Sequence, residues 1–287
     1  MLNLIRMNLY RFFKEKGYIA LIIIMLCTVL ISSIAIELNT SEAVVTEYVD
    51  ENGSTVRSVE WSNEETGDSV KVSSEADISF GQLFIEIMGG GVLVMIVGIF
   101  AIIYSDNERK FGFVKNLTVR KSERVAVFAA KAVPVFLFTL FTMIAAMIGI
   151  YLGSLLIAPV PFGDLNQFMA YFGVQLLLST AYGIFSLALY ELIRREVVTV
   201  IIIIFSSLGL VSQLVQLLEA GLVEIGLCSE AFMEKFEISQ HFLEVRSSAI
   251  QLGDVSGGRP CAVIIAIIGM AVYLVAGMIL YRKKDVV

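Results

Sequence analysis

Residues 17–36 read GYIALIIIMLCTVLISSIAI, twenty consecutive positions without a charged side chain. An α-helix needs about 20 apolar residues to cross a hydrocarbon core of about 30 Å, so this stretch has the length of a membrane span. It is also longer than the roughly 7–15 apolar residues of a cleaved signal sequence, so we expect it to stay in the protein.

Five further stretches lack Asp, Glu, Lys and Arg and are of similar or greater length. They are 87–105, 132–163, 165–190, 197–218 and 261–281. The four consecutive isoleucines at 201–204 do not alternate with polar residues as the strands of a membrane barrel do. Helices, in contrast, satisfy every backbone group internally within the bilayer. The sequence therefore predicts an all-α integral membrane protein with six transmembrane helices, forming one domain over residues 1–287.

The composition supports this interpretation, because 57% of the residues are hydrophobic and 17% are charged. Soluble domains carry about 25% charged residues. A water-soluble globule of this composition would expose large apolar patches, and a disordered chain needs low hydrophobicity. The composition thus excludes both of these classes.

The basic residues divide unequally between the two sides that six spans define. Sixteen of the 21 Lys and Arg fall in 1–16, 105–131, 191–196 and 282–287, and five fall in the other connections. Because cytoplasmic segments carry the excess of Lys and Arg, we expect a plasma-membrane protein with both termini in the cytoplasm. The net charge of −6 then separates into +9 inside and −15 outside.

The segments outside the spans differ in character. Residues 1–16 combine apolar residues at helical spacing with basic ones, which favours an interfacial helix; a basic leader that only sets topology is the alternative. In the outer loop 37–80, β-prone runs flank Asn52-Gly53, which favours a small β-hairpin or, equally, a mobile acidic loop. Residues 219–259 are a second outer segment, for which we expect short helices on or partly within the outer membrane face.

Sequence signals for nucleotide, metal and nucleic-acid chemistry are missing from the chain. No Gly-x-x-x-x-Gly-Lys-Ser/Thr phosphate loop occurs. One His and three scattered Cys do not give the three or four convergent ligands of a zinc site. We therefore expect no enzyme activity, catalytic residue, cofactor or metal in this chain, and no nucleic-acid partner.

Glu86 is the one ionisable residue within the largely apolar stretch 78–104. An acid buried in a membrane helix is costly and often marks a transport pathway, which makes Glu86 a candidate pathway residue. In the alternative interpretation the helix begins near Ile87, so Glu86 lies at its hydrated N-terminus, where a negative charge is favourable.

The most basic part of the chain is 105–131, between the second and third spans. Phe111, Val114 and Leu117 recur every third residue, which favours a short amphipathic helix across the cytoplasmic face. Its apolar residues would fill a groove on a soluble partner while its charges steer docking. A basic loop that only sets topology and touches anionic membrane lipid is the alternative.

This connection resembles the corresponding segment of the permease subunits of type-2 ABC exporters. The resemblance rests on Glu108, Gly112, Lys115-Asn116-Leu117, Ser122 with Arg124, and Lys131. The order of elements is similar as well, with an interfacial helix, six spans, a charged connection after the second span and an extended outer segment before the sixth.

The resemblance implies that the connection is a coupling helix seated in a cleft of a separate ATPase subunit. Two ATPases would drive two permease subunits, identical or paralogous, to export an amphipathic substrate such as an antimicrobial peptide, a lipid-like molecule or a hydrophobic drug. The implied ATPase contacts are Phe111, Phe113, Val114, Lys115 and Leu117, with a smaller second contact at Glu191, Arg194, Arg195 and Glu196.

Two other functions stay open on the residues alone. An ATP-independent secondary transporter or channel would ordinarily show polar pathway residues and inverted repeats, and Glu86 is the one candidate here. A non-transporting membrane sensor or assembly subunit would bind its ligand through 37–80 and 219–259 and pass the signal inward through the basic connection.

Overall fold

The computed structural model describes residues 2–42, 44–49, 55–60, 72–73, 79–110, 121–156, 161–224, 241–253 and 261–283. Apart from one small sheet, the described elements are helices. They are α1 (Leu2–Lys14), α2 (Lys16–Glu42), α3 (Phe80–Gly89), α4 (Val92–Lys110), α5 (Lys121–Ala130), α6 (Ala132–Leu156), α7 (Leu165–Ile193), α8 (Glu196–Ser207), α9 (Leu210–Glu224), α10 (Leu243–Ala249) and α11 (Ala262–Lys283).

Several of these helices have the length and apolar character of membrane spans. Within the described residues, four segments qualify on their own, namely Lys16–Ala35, Val125–Leu156, Leu165–Ile193 and Ala262–Arg282. Two bent pairs qualify when taken together: α3 with α4 at 53°, and α8 with α9 at 66°. The chain is thus a helical multi-pass membrane protein with four to six candidate spans.

The second predicted span begins earlier than its uncharged stretch. Helix α3 starts at Phe80, where the Ser79 hydroxyl accepts from the Gln82 amide at 3.3 Å and the Gln82 side chain accepts from the Ser79 amide at 2.9 Å. This reciprocal capping fixes the start of the helix. The prediction of a start near Ile87 is therefore wrong, and Glu86 lies in the second turn of α3 rather than at its N-terminus.

Helix α7 is the centre of the bundle, because α4, α6, α10 and α11 all pack against it. Helix α2 lies farther out, against α6. A Cβ atom added at Gly153 would come 2.6 Å from the Ser33 hydroxyl oxygen of α2. A small residue at this position therefore allows the close approach of two membrane helices.

The two bends lie against each other. Gly91, between α3 and α4, has a φ of 78°, and a Cβ atom there would collide with the carbonyl oxygen of Ser207, the last residue of α8. The adjacent Gly89 faces the backbone of Ser248 in α10. Two bent helix pairs and one short helix therefore meet at one place, beside the face of α7 on which Gln175 donates to Ser247. We call this place the break junction (residues 89–91, 171–179, 206–209 and 243–248).

Helix α1 packs on the end of the bundle where α4 ends and α6 begins. Its Phe12 side chain is buried, with ring centroids 5.9 Å from Phe100 and 6.2 Å from Phe141. The Arg11 guanidinium donates to the carbonyl oxygen of Tyr104 at 3.2 Å. The helix predicted over 1–16 is thus present as Leu2–Lys14 and is fixed to the bundle by apolar and polar contacts.

A small antiparallel sheet lies in the connection between α2 and α3. Its strands are β1 (Val44–Val49), β2 (Thr55–Glu60) and β3 (Val72–Ser73), in the order β1-β2-β3. Val44 pairs with Glu60 and Val59 with Val72. The first two strands lie in the β-prone runs of the sequence, and Asn52-Gly53 between them is outside the described residues.

Candidate functional site

Lys131 is fully buried at the turn between α5 and α6. Its ammonium nitrogen lies 2.6 Å from Glu108 Oε2 of α4 and 3.5 Å from Glu191 Oε1 of α7. It also donates to Ser105 Oγ at 2.9 Å, and the Ser105 hydroxyl donates to Glu191 Oε1 at 3.2 Å. One ammonium group therefore links the start of α6 to α4 and α7. We call these four residues the lysine cluster.

Attraction between one ammonium group and two carboxylates holds the lysine cluster together. Glu108 is as inaccessible as Lys131, and Glu191 is 1% exposed. Removing an ion from water costs several kcal/mol even after relaxation, and only close counter-ions offset that cost. The ring of Tyr281 lies 5.0 Å from the ammonium nitrogen and adds a cation–π contact. Loss of the ammonium group would leave two buried carboxylates without a counter-ion, so Lys131 constrains the three helices to stay together.

A more exposed set of contacts continues the lysine cluster toward the surface. Lys110 bridges Asp106 at 2.6 Å and Glu196 at 2.7 Å. The Tyr190 hydroxyl donates to Asp106 at 2.6 Å and accepts from Arg109 at 3.2 Å. These bonds tie the last turn of α4 to the end of α7 and to the start of α8.

The chain passes from α7 to α8 in two residues. Arg194 adopts the left-handed conformation with a φ of 56°, and its amide donates to the Tyr190 carbonyl at 2.7 Å. A left-handed residue of this kind ends a helix. Helix α8 then begins with Glu196, whose negative charge is favourable in the first turn. Arg195, at the turn itself, is exposed.

The structure separates the four residues of the predicted second contact. Arg195 is exposed and Arg194 is half-buried, so both are near the surface. Glu196 is bound to Lys110. The expectation that Glu191 belongs to a surface contact is wrong, because its carboxylate points into the bundle and binds Lys131 and Ser105.

The predicted coupling residues Phe111, Phe113, Val114, Lys115 and Leu117 lie outside the described residues. The structure does describe the helices on either side of them, since α4 ends at Lys110 and α5 begins at Lys121. Glu108 and Lys131, on either side of 111–120, form the buried ion pair of the lysine cluster. The two helices that flank the predicted coupling segment are therefore fixed to each other.

Both the first and the last described helix reach the same end of the bundle. Arg11 lies over the ring of Tyr104 at 4.9 Å, and the Asn107 amide donates to the Glu15 carboxylate. At the other end of the chain, Tyr281 of α11 faces Lys131. We call this end of the bundle, which also holds 105–110 and 190–196, the basic end.

Glu244 is a buried acid that the sequence analysis missed. It is 7% exposed in α10 and accepts a hydrogen bond from the Ser206 hydroxyl at 2.9 Å. Burial raises the pKa of Glu244, and hydrogen bonds from its own backbone and from Ser206 oppose that rise. Glu86, the predicted pathway residue, is exposed instead. An acid between the apolar neighbours Leu243 and Val245 was the one signal that could have identified Glu244.

Comparison with known proteins does not show a family for this chain. The chain matches no protein-family model, and no curated protein is significantly similar to it in sequence. Function therefore has to be argued from the geometry of the sites themselves.

Proposed function

We propose that the chain is the transmembrane permease subunit of an ATP-driven ABC exporter, which moves an amphipathic or hydrophobic substrate while two separate subunits hydrolyse ATP. The observation that carries this proposal is the lysine cluster. It ties both helices that flank the basic connection 111–120 to the centre of the bundle through Glu108, Lys131 and Glu191.

The lysine cluster gives a partner at the basic end a route into the membrane helices. A displacement of 111–120 acts on α4 and α5, and the Glu108–Lys131 ion pair makes α4 and α6 move together. Glu191 extends the link to α7, against which α10 and α11 pack. Because packed interiors are little compressible, the displacement is transmitted rather than absorbed. Arg194 and Arg195, beside the cluster, supply the smaller second contact.

The proposal includes six spans, with each bent pair crossing the membrane once. Arg11 and Tyr281 both belong to the basic end, which calls for an even number of crossings between α1 and the C-terminal end of α11. Four continuous spans and two bent ones satisfy that condition. The excess of Lys and Arg at the basic end supports a cytoplasmic location for this end and for both termini, in the plasma membrane.

The proposal is tested by recovering and rebuilding the complex. Affinity purification of the full chain from its native membrane should recover an ATPase subunit, and proteoliposomes that contain both should export amphipathic peptides when ATP is supplied. Phe113→Asp and Leu117→Asp should abolish this export, because a charge in the apolar stripe prevents docking, while the unfolding temperature of the permease stays unchanged.

Asn166→Asp is the control, since it adds the same charge to an exposed position in the first turn of α7, away from the basic end. It should leave export intact. Full ATP-dependent export by the Phe113 and Leu117 variants would contradict the coupling assignment.

A second function, an ATP-independent transporter, is favoured by one observation. Two bent spans meet at the buried Glu244, and secondary transporters commonly bind substrates and coupling ions where membrane helices are broken. Proteoliposomes that hold the permease chain alone separate the two functions. Uptake driven by a proton gradient without ATPase supports the transporter, and strict dependence on the ATPase supports the exporter.

A further inference from the structure

The break junction holds more hydrogen-bonding groups than its own contacts use. Gln175 of α7 is fully buried, and its amide nitrogen donates to the Ser247 hydroxyl of α10 at 2.6 Å. Its Oε1 atom has no hydrogen-bond partner among the described residues, nor do the buried hydroxyl groups of Tyr171 and Ser179, one turn to either side on the same face. Buried polar groups normally have partners, so these three groups have hydrogen-bonding capacity to offer a polar ligand group.

The acid of the junction lies close to this row. Glu244 and Ser247 are three residues apart on α10 and therefore share a face, so Glu244 lies about one helical turn from Ser247, the residue to which Gln175 donates. A carboxylate accepts about four hydrogen bonds, and the Ser206 hydroxyl supplies one. Arg246, two residues along the same helix, is also buried and has partners.

Aromatic rings lie beside the same carboxyl group. Tyr182 and Phe185 of α7 have ring centroids 5.7 Å apart, and Phe185 lies 5.0 Å from Tyr273 of α11. The Tyr182 hydroxyl donates to the Ile203 carbonyl oxygen at 3.1 Å, one turn before Ser206, whose hydroxyl donates to Glu244. A carboxylate together with nearby aromatic rings is a combination that recognises an ammonium ion.

We infer that the break junction binds the ammonium group of an amphipathic amine, with Glu244 as its counter-ion and Gln175 Oε1 as a hydrogen-bond acceptor. This inference rests on the proposed function and names the class of its substrate. A calcium ion fits poorly, because it takes about six to eight oxygen ligands, including several carboxylates, and the described part of the junction offers one carboxylate.

A proton competes with the ammonium ion at this site, because burial raises the pKa of Glu244. Among the described residues, the other ionisable groups near Glu244 are the phenols of Tyr182 and Tyr273, with Arg246 on its own helix. Of the remaining described elements at the junction, α3 contributes Glu86, which is exposed, and α8 contributes Glu196, which is bound to Lys110 at the basic end. Helix α9 contributes Glu219, which is buried and has a partner of its own.

The test measures binding to the purified full chain in detergent micelles, without ATPase or ATP. The probes are two fluorescent twelve-carbon alkyl compounds, one ending in a primary amine and one in a hydroxyl group. Because their alkyl tails are identical, partition of the tails into micelles affects both probes equally and cancels in the comparison. The wild type should bind the amine about tenfold more tightly than the alcohol at neutral pH, which corresponds to the energy of a desolvated cation–π and ionic contact.

Glu244→Gln should remove this preference and leave alcohol binding unchanged, because glutamine still accepts the Ser206 hydrogen bond but carries no charge. Asp164→Asn is the matched control. Asp164 is an exposed carboxylate that caps α7 by accepting from the Asn166 amide, and asparagine caps equally well. This variant should keep the full preference for the amine.

A pH series on the wild type gives a second measurement that needs no variant. From about pH 8 to about pH 5 the amine stays charged, so its advantage over the alcohol should fall as Glu244 takes up a proton. Equal binding of amine and alcohol by the wild type, a preference that survives in Glu244→Gln, or one that is independent of pH would overturn the inference. The binding test contains no ATPase, so a negative result does not bear on the proposed coupling role of the basic end. Conversely, loss of coupling in the export assay does not bear on amine binding.

Discussion

Carboxyl groups buried at two places in the described bundle, the lysine cluster and the break junction, are compensated differently. In the lysine cluster, Glu108 and Glu191 lie 2.6 and 3.5 Å from the ammonium nitrogen of Lys131. At the break junction, Glu244 accepts from the Ser206 hydroxyl, and its pKa is raised by burial. The first arrangement fixes its charges in place and so makes a rigid joint. The second lets the Glu244 carboxyl group exchange a proton for another cation, as a binding site for cations requires.

The largest expected effect is the loss of the lysine. Lys131→Met leaves two buried carboxylates without their counter-ion and should lower the free energy of unfolding by about 3–5 kcal/mol. Denaturant unfolding in detergent, followed by circular dichroism, measures this change. Lys110→Met removes a partly exposed ammonium group from its two carboxylates and should cost far less. Equal losses in the two variants would show that burial does not distinguish these ion pairs.

The break junction should be sensitive to its backbone contacts. Gly91→Ala places a side chain at a positive φ and against the Ser207 carbonyl oxygen, so we expect a loss of about 1–3 kcal/mol. The same unfolding measurement applies. Gly173→Ala is the control, because a Cβ atom there meets no neighbour within 4 Å, and alanine in a helix stabilises by about 0.5–1 kcal/mol. Two variants of equal stability would argue against close packing of the bends.

The difference in charge compensation also predicts a difference in pH dependence. The pKa of Glu244 is raised above its ordinary value of 4.5. Above about pH 4.5 the unfolded chain therefore releases this proton while the folded chain retains it, so stability falls as pH rises until the raised pKa is passed. Glu244→Gln should remove this contribution. Unfolding temperatures of both proteins over the same pH range test it, and parallel curves would contradict it.

The smallest expected effect belongs to the surface side of the basic end. Tyr190→Phe removes the hydroxyl group that donates to Asp106 and accepts from Arg109, while the ring and its packing stay. We expect a loss of about 1.5 kcal/mol, the low end of the range for a hydrogen bond to a charged group, because Lys110 still holds the Asp106 carboxylate. A loss as large as that of Lys131→Met would show that the outer contacts, rather than the lysine cluster, hold this end together.

The uncharged stretches located the apolar helices but not the break at Gly209. Uncharged stretches reveal spans because hydrocarbon excludes charge over a fixed thickness. The bend at Gly209 gave no signal of its own, since glycine is common in membrane helices. The break between α8 and α9 packs against the other break, because Gly91 lies next to the Ser207 carbonyl oxygen. The sequence alone does not show that these distant residues meet.

The same limit explains what was missed at the two sites. Lys131 marked the edge of an uncharged stretch, a position that ordinarily lies in the headgroup region, and its burial depends on Glu108 and Glu191 on other helices. Glu244 lay in a segment interpreted as an outer surface, and its burial depends on α10 packing against α7. The composition of one segment does not reveal either partner.

The ion pair of Lys131 and Glu108 also bears on the order in which the chain enters the membrane. Glu108 is synthesised first, Lys131 comes next with the following span, and Glu191 comes last. Because an unpaired buried charge is costly, we expect the first two charges to pair once both helices are present. We then expect α7, with Glu191, to dock onto a pair that has already formed.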